Sequence, residues 1–118
     1  MAGRKKAERI RSDEEWIDIE LERAAKYAEE NNSLADMRAE VYIGLAKRCA
    51  SRIKRDISNE IKGVVRTMIE KHEREGKSLF YEGRELSAKE EFKQAEEYAK
   101  KYGICYSASP IESSSIGA

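Results

Sequence analysis

Apolar residues recur at steps of three and four along much of the chain, and that spacing predicts helices. Ile17, Leu21, Ala24 and Ala28 form the stripe of a first helix over 13–30, flanked by Trp16 and Tyr27. Ser12 is placed to cap it. Glu15 stands three residues later, where a capping box puts its acid. Acids in the first turn also suit the positive end of the helix dipole. Asn31, Asn32 and Ser33 make a short polar break, and Ser33 with Asp36 repeats the cap pattern. A connection this short predicts an antiparallel neighbour.

The second helical pattern runs over 34–75, with Gly76 as its expected stop. Unbroken, it would be about 60 Å long at ~1.5 Å per residue. Ser58-Asn59 and Gly63 are the candidate breaks, but the apolar steps continue through both and predict one long helix. Its first half has Leu34, Met37, Val41, Leu45 and Cys49 on one side, and Ala35, Ala39, Tyr42, Ile43 and Ala46 on another. That half is expected to be enclosed on both sides, with Gly44 allowing a close helix approach. Its second half is amphipathic, with Ala46, Ala50, Ile53, Ile57, Ile61, Val64 and Met68 along one face.

Residues 79–86, LFYEGREL, read as a miniature hairpin around Glu82-Gly83. Ser87 with Glu90 then forms a capping box for a last helix. Its stripe is Ala88, Phe92, Ala95, Ala99 and Tyr102, and Gly103 ends it. The expected fold is therefore all-α: three main helices, one long and central, with at most a tiny β-hairpin before the last. The predicted core contains Ile17, Leu21, Val41, Leu45, Ile53, Phe92, Ala95 and Ala99. The first and last helices are each too short to cover the long one, which predicts self-association as a homodimer.

Composition agrees with a helical domain. The chain has 118 residues, 39% charged and 40% hydrophobic, with one proline and seven glycines. It divides into a basic N-terminal arm over 1–11, a helical domain over 12–106 and a small, polar, flexible tail over 107–118. The formal net charge is zero, yet the charge is unevenly spread. Residues 1–11 hold five bases and one acid, 12–32 eight acids and two bases, and 45–66 seven bases and two acids. An acidic element thus lies between two basic ones.

That layout supplies the candidate binding residues. Arg48, Arg52, Arg55, Lys62 and Arg66, with Asn59 in the gap, recur at helical steps opposite the apolar face. Such a row can meet successive backbone phosphates of DNA or RNA and release their counterions. Arg4, Lys5 and Lys6 in the arm can add contacts, and Asn59 can reach a base edge. The alternative is an adaptor, inhibitor or regulatory subunit that meets an acidic protein partner through the same helix. The plain structural explanation is a solvated face whose charge the acidic first helix neutralises.

Other chemistries find little support. His72 is the sole histidine, and Glu70 and Glu73 beside it lack the Glu-x-x-His spacing of di-iron bundles. Cys49 and Cys105 have no CxxC spacing. There is no glycine-rich phosphate loop and no nucleophile motif, so neither an enzyme nor a cofactor is expected. No apolar run is long enough to span a bilayer. The apolar face also lacks the Trp and Phe usual at membrane interfaces, and a cytoplasmic protein is expected.

Overall fold

The computed structural model describes residues 11–32 and 34–106. Arg4, Lys5 and Lys6, Ser33 and the 107–118 tail lie outside them. Four helices and no strand are found among the described residues. They are α1 (Asp13–Glu29), α2 (Ala35–Arg52), α3 (Ser58–Tyr81) and α4 (Glu85–Tyr102). The all-α expectation holds, but the helix count is four rather than three. α1 packs along α2, α3 packs along α4, and α1 also meets α3.

The ends of the domain follow the sequence. The Glu15 amide donates to Ser12 Oγ at 3.2 Å, and the Ser12 amide donates to Glu15 Oε1 at 3.1 Å, closing the capping box. At the other end Gly103 takes the left-handed conformation (φ 68°), and the Ile104 amide donates to the Ala99 carbonyl at 2.8 Å. Those bonds occupy carbonyls that the last turn would otherwise leave open.

The long helix over 34–75 does not form. α2 ends at Arg52, and Lys54 adopts a positive φ of 55°. The Arg55 amide turns back to the Ala50 carbonyl at 2.9 Å. Asp56 Oδ1 then accepts from the Ser58 amide at 2.9 Å, replacing a helical bond at the start of α3. The break lies just before the Ser58-Asn59 candidate, while Gly63 sits within α3. The reason is burial. Reversing at this point lays Ile57, Ile61, Val65 and Met68 into the same core as Ile17, Ala24 and Ala46. Each large apolar side chain so buried contributes about 1.5–3 kcal/mol. An unbroken helix would have left that face without cover.

The 79–86 hairpin is also absent. α3 runs past Gly76 to Tyr81, and the reversal is the turn 82–84, with Gly83 at φ 84°. α4 starts at Glu85, so Ser87 is inside the helix and caps nothing at its start. The deciding contact is again apolar. Leu79 continues the α3 stripe and packs with Ala88 and Phe92 in a small second cluster. Strand pairing would have pulled Leu79 out of it.

Several core assignments change with the helix break. Ile17, Phe92, Ala95 and Ala99 are buried, and Leu21 packs half-buried against the core. Leu45 is half-buried. Val41 is 54% exposed and Ile53 is 37% exposed, so both are corrections. Leu34 and Met37 are exposed with Val41, so only the Ala39–Ile43–Ala46 side of α2 is enclosed. Among the described residues no neighbouring side chain approaches Gly44: a Cβ there would meet nothing within 4 Å. Between α1 and α2, Tyr27 stacks on Tyr42 with centroids 5.7 Å apart. Arg38 covers the Tyr27 ring and Arg23 the Tyr42 ring.

Gly76 is a packing residue rather than a stop. A Cβ on it would lie 2.9 Å from the buried ring of Phe92. Alanine there gains about 1 kcal/mol of helix propensity but incurs overpacking of about 1–3 kcal/mol. Gly76→Ala should therefore lower stability in urea titrations of the natural sequence, and raise it in a Phe92→Leu background. An increase in both backgrounds would show that the ring is free to move aside.

Candidate functional site

The helix break divides the basic row. Arg48 and Arg52 remain on α2, Arg55 falls in the connection, and Asn59, Lys62 and Arg66 lie on α3. The acidic first turn of α1 stands beside the end of α2. Arg52 Nη2 donates to Asp13 Oδ1 at 2.9 Å, and its Nε reaches the same carboxylate at 3.2 Å. Arg55 bridges Glu14 and Glu60, each at 3.2 Å. The hydrogen bonds from Arg52 hold the Asp13 carboxyl below its usual range. Arg48, Asn59 and Arg66 are exposed, and Lys62 is half-buried. The row is thus two short groups, one of them largely matched by α1 acids.

A different set of residues comes together in space. α2 and α4 stand apart above α3, leaving an open groove of about 860 Å³. Met37, Val41 and Lys47 form its α2 side, and Gln94, Lys101 and Tyr102 its α4 side. Lys71 and His72 of α3 line its floor. Asp36 projects into this floor from the first turn of α2.

Asp36 joins three helices. One of its oxygens accepts from Lys71 Nζ. The other lies 2.5 Å from His72 Nε2 and accepts from Tyr98 Oη at 3.2 Å. Lys71 is 5% exposed and also donates to the Glu30 carbonyl at 2.9 Å, tying in the end of α1. The far nitrogen of His72 meets Glu91 Oε1 at 2.6 Å, and its ring stacks on Tyr98. One turn further along α2, Glu40 Oε2 accepts from Lys101 at 2.5 Å and Tyr102 at 2.8 Å.

The electrostatics follow from these bonds. Burial works against the charged form of Asp36, but hydrogen bonds from His72 and Lys71 overcome it and hold the carboxyl at about 2. Burial likewise opposes charge on His72, yet Asp36 and Glu91 outweigh it and raise the imidazole above its ordinary value. With a carboxylate at each ring nitrogen, the imidazolium is the form that satisfies both. Burial raises the Tyr98 and Tyr102 hydroxyls, which stay protonated. Two anions and two cations thus balance at the crossing of three helices.

Perturbed groups in a cleft are a common mark of catalysis. Here the geometry favours bracing. Both ring nitrogens of His72 are occupied by carboxylates, and Lys71 is occupied by Asp36 and a carbonyl. Among the described residues, no group of three or more His, Cys, Asp or Glu is placed to hold a metal ion. Sequence reasoning missed this cluster because its bonded partners lie 19 to 62 residues apart. The carboxylates weighed beside His72 were its chain neighbours, and its true partners come from other helices.

Comparison with protein-family models, with curated proteins and with solved structures finds no match to this chain. No helix among the described residues is long and apolar enough to cross a membrane.

The raised His72 value makes a signed prediction. Its interaction with Asp36 and Glu91, beside Lys71 and Tyr98, stabilises the fold fully below the unfolded value of about 6.5. That contribution is lost as pH rises through the folded value, with a limiting slope of about 1.4 kcal/mol per pH unit. Asp36 acts in the opposite direction, contributing above pH 3.8 and losing its contribution as pH falls through about 2. Denaturant titrations from pH 6 to 10 should show the alkaline loss in the natural protein. His72→Gln should lack it. Equal alkaline slopes in both would mean that His72 is neutral in the folded state.

Proposed function

We propose that this is a non-enzymatic protein-binding module that presents the outer face of α2 and the adjoining groove. The observation that carries this reading is the strip Leu34, Met37 and Val41, exposed by 46%, 58% and 54%. These residues share one helix face, directly opposite the buried Ala39, Ile43 and Ala46. A contiguous apolar strip beside a polar groove is the form of a helix-docking surface. The groove's charged groups are bonded to one another, so its floor is set before a partner arrives. This is the adaptor or inhibitor reading, with its contact surface moved from the basic row to the apolar side of α2.

Backbone contact with DNA or RNA is the second reading. It rests on Arg48 and Arg66, which are exposed, with Lys62 between them in sequence. Arg52 and Arg55 weigh against it, because phosphates would have to compete with Asp13, Glu14 and Glu60. Binding to unrelated duplexes that falls steeply with salt, and is lost on changing Arg48, Lys62 and Arg66 to Gln, would favour it over protein binding.

Photo-cross-linking in the source cells tests the main reading. A benzophenone side chain at Met37 should give discrete protein adducts, and one at the exposed Glu22 of α1 should not. Adding Val41→Glu should remove at least about nine-tenths of the Met37 adducts, as expected for a charge placed at an apolar contact. Equal labelling at both positions, or adducts indifferent to Val41→Glu, would refute it.

A further inference from the structure

The strip on α2 has the spacing of a short coiled-coil seam. Leu34, Met37, Val41, Gly44 and Arg48 fall at alternating steps of three and four. Leu45, half-buried, borders the seam on one side. Glu40 and Lys47 border it on the other, seven residues apart on the same edge. Between them Gly44 presents bare backbone, with nothing among the described residues within 4 Å of where a Cβ would stand. A facing helix can therefore approach most closely at Gly44.

We infer that the occupant of this face is a second copy of the chain, with α2 packed antiparallel against α2 and crossing at Gly44. This rests on the protein-binding reading and names its partner. The argument is the self-complementarity of the surface. A two-fold axis near Gly44 reverses the order of residues, and so brings Glu40 level with Lys47 of the other copy, twice. Val41 comes level with the Leu45–Ala46 turn. A parallel arrangement sets Glu40 beside Glu40 and Lys47 beside Lys47. The side chain of Glu40 keeps 25% exposure while bonded to Lys101 and Tyr102, so it can also face a lysine.

The seam is about 20 Å long at ~1.5 Å per residue, which is at the small end for a specific interface. A dissociation constant of about 10–100 µM is expected of it.

Sedimentation equilibrium and disulfide trapping together test the inference. The natural protein should pass from monomer to dimer over about 5–500 µM. Val41→Glu should raise the dissociation constant at least about tenfold with unchanged circular dichroism. Gly44→Cys in a Cys105→Ser background should trap rapidly as a disulfide dimer, and Met37→Cys in that background should trap slowly. The Cys105→Ser parent keeps only the buried Cys49 and serves as control.

Rapid trapping at both positions would refute the antiparallel register. A monomer throughout, or a dimer indifferent to Val41→Glu, would refute the second copy as occupant. In either of those cases Val41-dependent adducts to a different protein at Met37 would leave the protein-binding reading intact. Their absence would remove both.

Discussion

A single carboxylate holds the crossing of the helices. Asp36 sits in the first turn of α2, accepts from Lys71 and Tyr98, and faces an imidazole nitrogen of His72. Those partners come from α3 and α4, and Lys71 adds the end of α1 through the Glu30 carbonyl. Charges this enclosed are costly to leave unpaired, and removing one partner of a buried pair typically costs about 3–5 kcal/mol. The network's main effect is on geometry. α2 and α4 lack the extended contact that joins α1 to α2 and α3 to α4, and the bonds between them are those of Asp36 and Glu40. The space between them is the groove.

The apolar core does the complementary work. Its seam between α1, α2 and α3 is rich in alanine, at Ala24, Ala28, Ala39, Ala46 and Ala50. Small side chains let helix axes approach closely, and Ile17, Ile43, Val65 and Met68 fill the space that remains. The core uses one face of α2 and leaves the opposite face bare. A molecule braced by charge on one side of that helix and by packing on another therefore presents Leu34, Met37 and Val41 to solvent.

The charge pattern has a local explanation before any functional one. The acids of the first turn of α1 favour the positive end of their own helix dipole, and their other neighbours are Arg52 and Arg55 near the end of α2. Surface pairs of this kind contribute little each, about 0–1 kcal/mol. They nonetheless occupy the arginines, which lowers the positive field that a phosphate would meet. The alternation of acidic and basic stretches along the chain is in part the one-dimensional record of two helix ends lying side by side.

Local signals settled what is local. The Ser12–Glu15 box and the Gly103 stop are each made by a few adjacent residues, so both were legible in the chain. The helical content and the Ile17, Phe92, Ala95 and Ala99 core positions were legible for the same reason, through periodicity. The break before Ser58 was not. The apolar steps run through 53–61 whether the helix continues or folds back, because Ile57 and Ile61 enter the same core from the α3 side. The hairpin expectation at 79–86 failed likewise, since Leu79 answers to Ala88 and Phe92 across a turn. The Asp36 cluster was the least legible feature. Its partners are 35 to 62 residues away and share no face until three helices cross, and only that crossing makes His72 and Lys71 neighbours of one carboxylate. Sequence therefore determined the helical character of the chain and the two outer helix ends, at Ser12 and Gly103, while the inner ends at Arg52, Tyr81 and Glu85 answered to packing. Tertiary packing decided where the central helix divides, which face of α2 stays bare and which charges meet, because those depend on the competition between distant surfaces for burial.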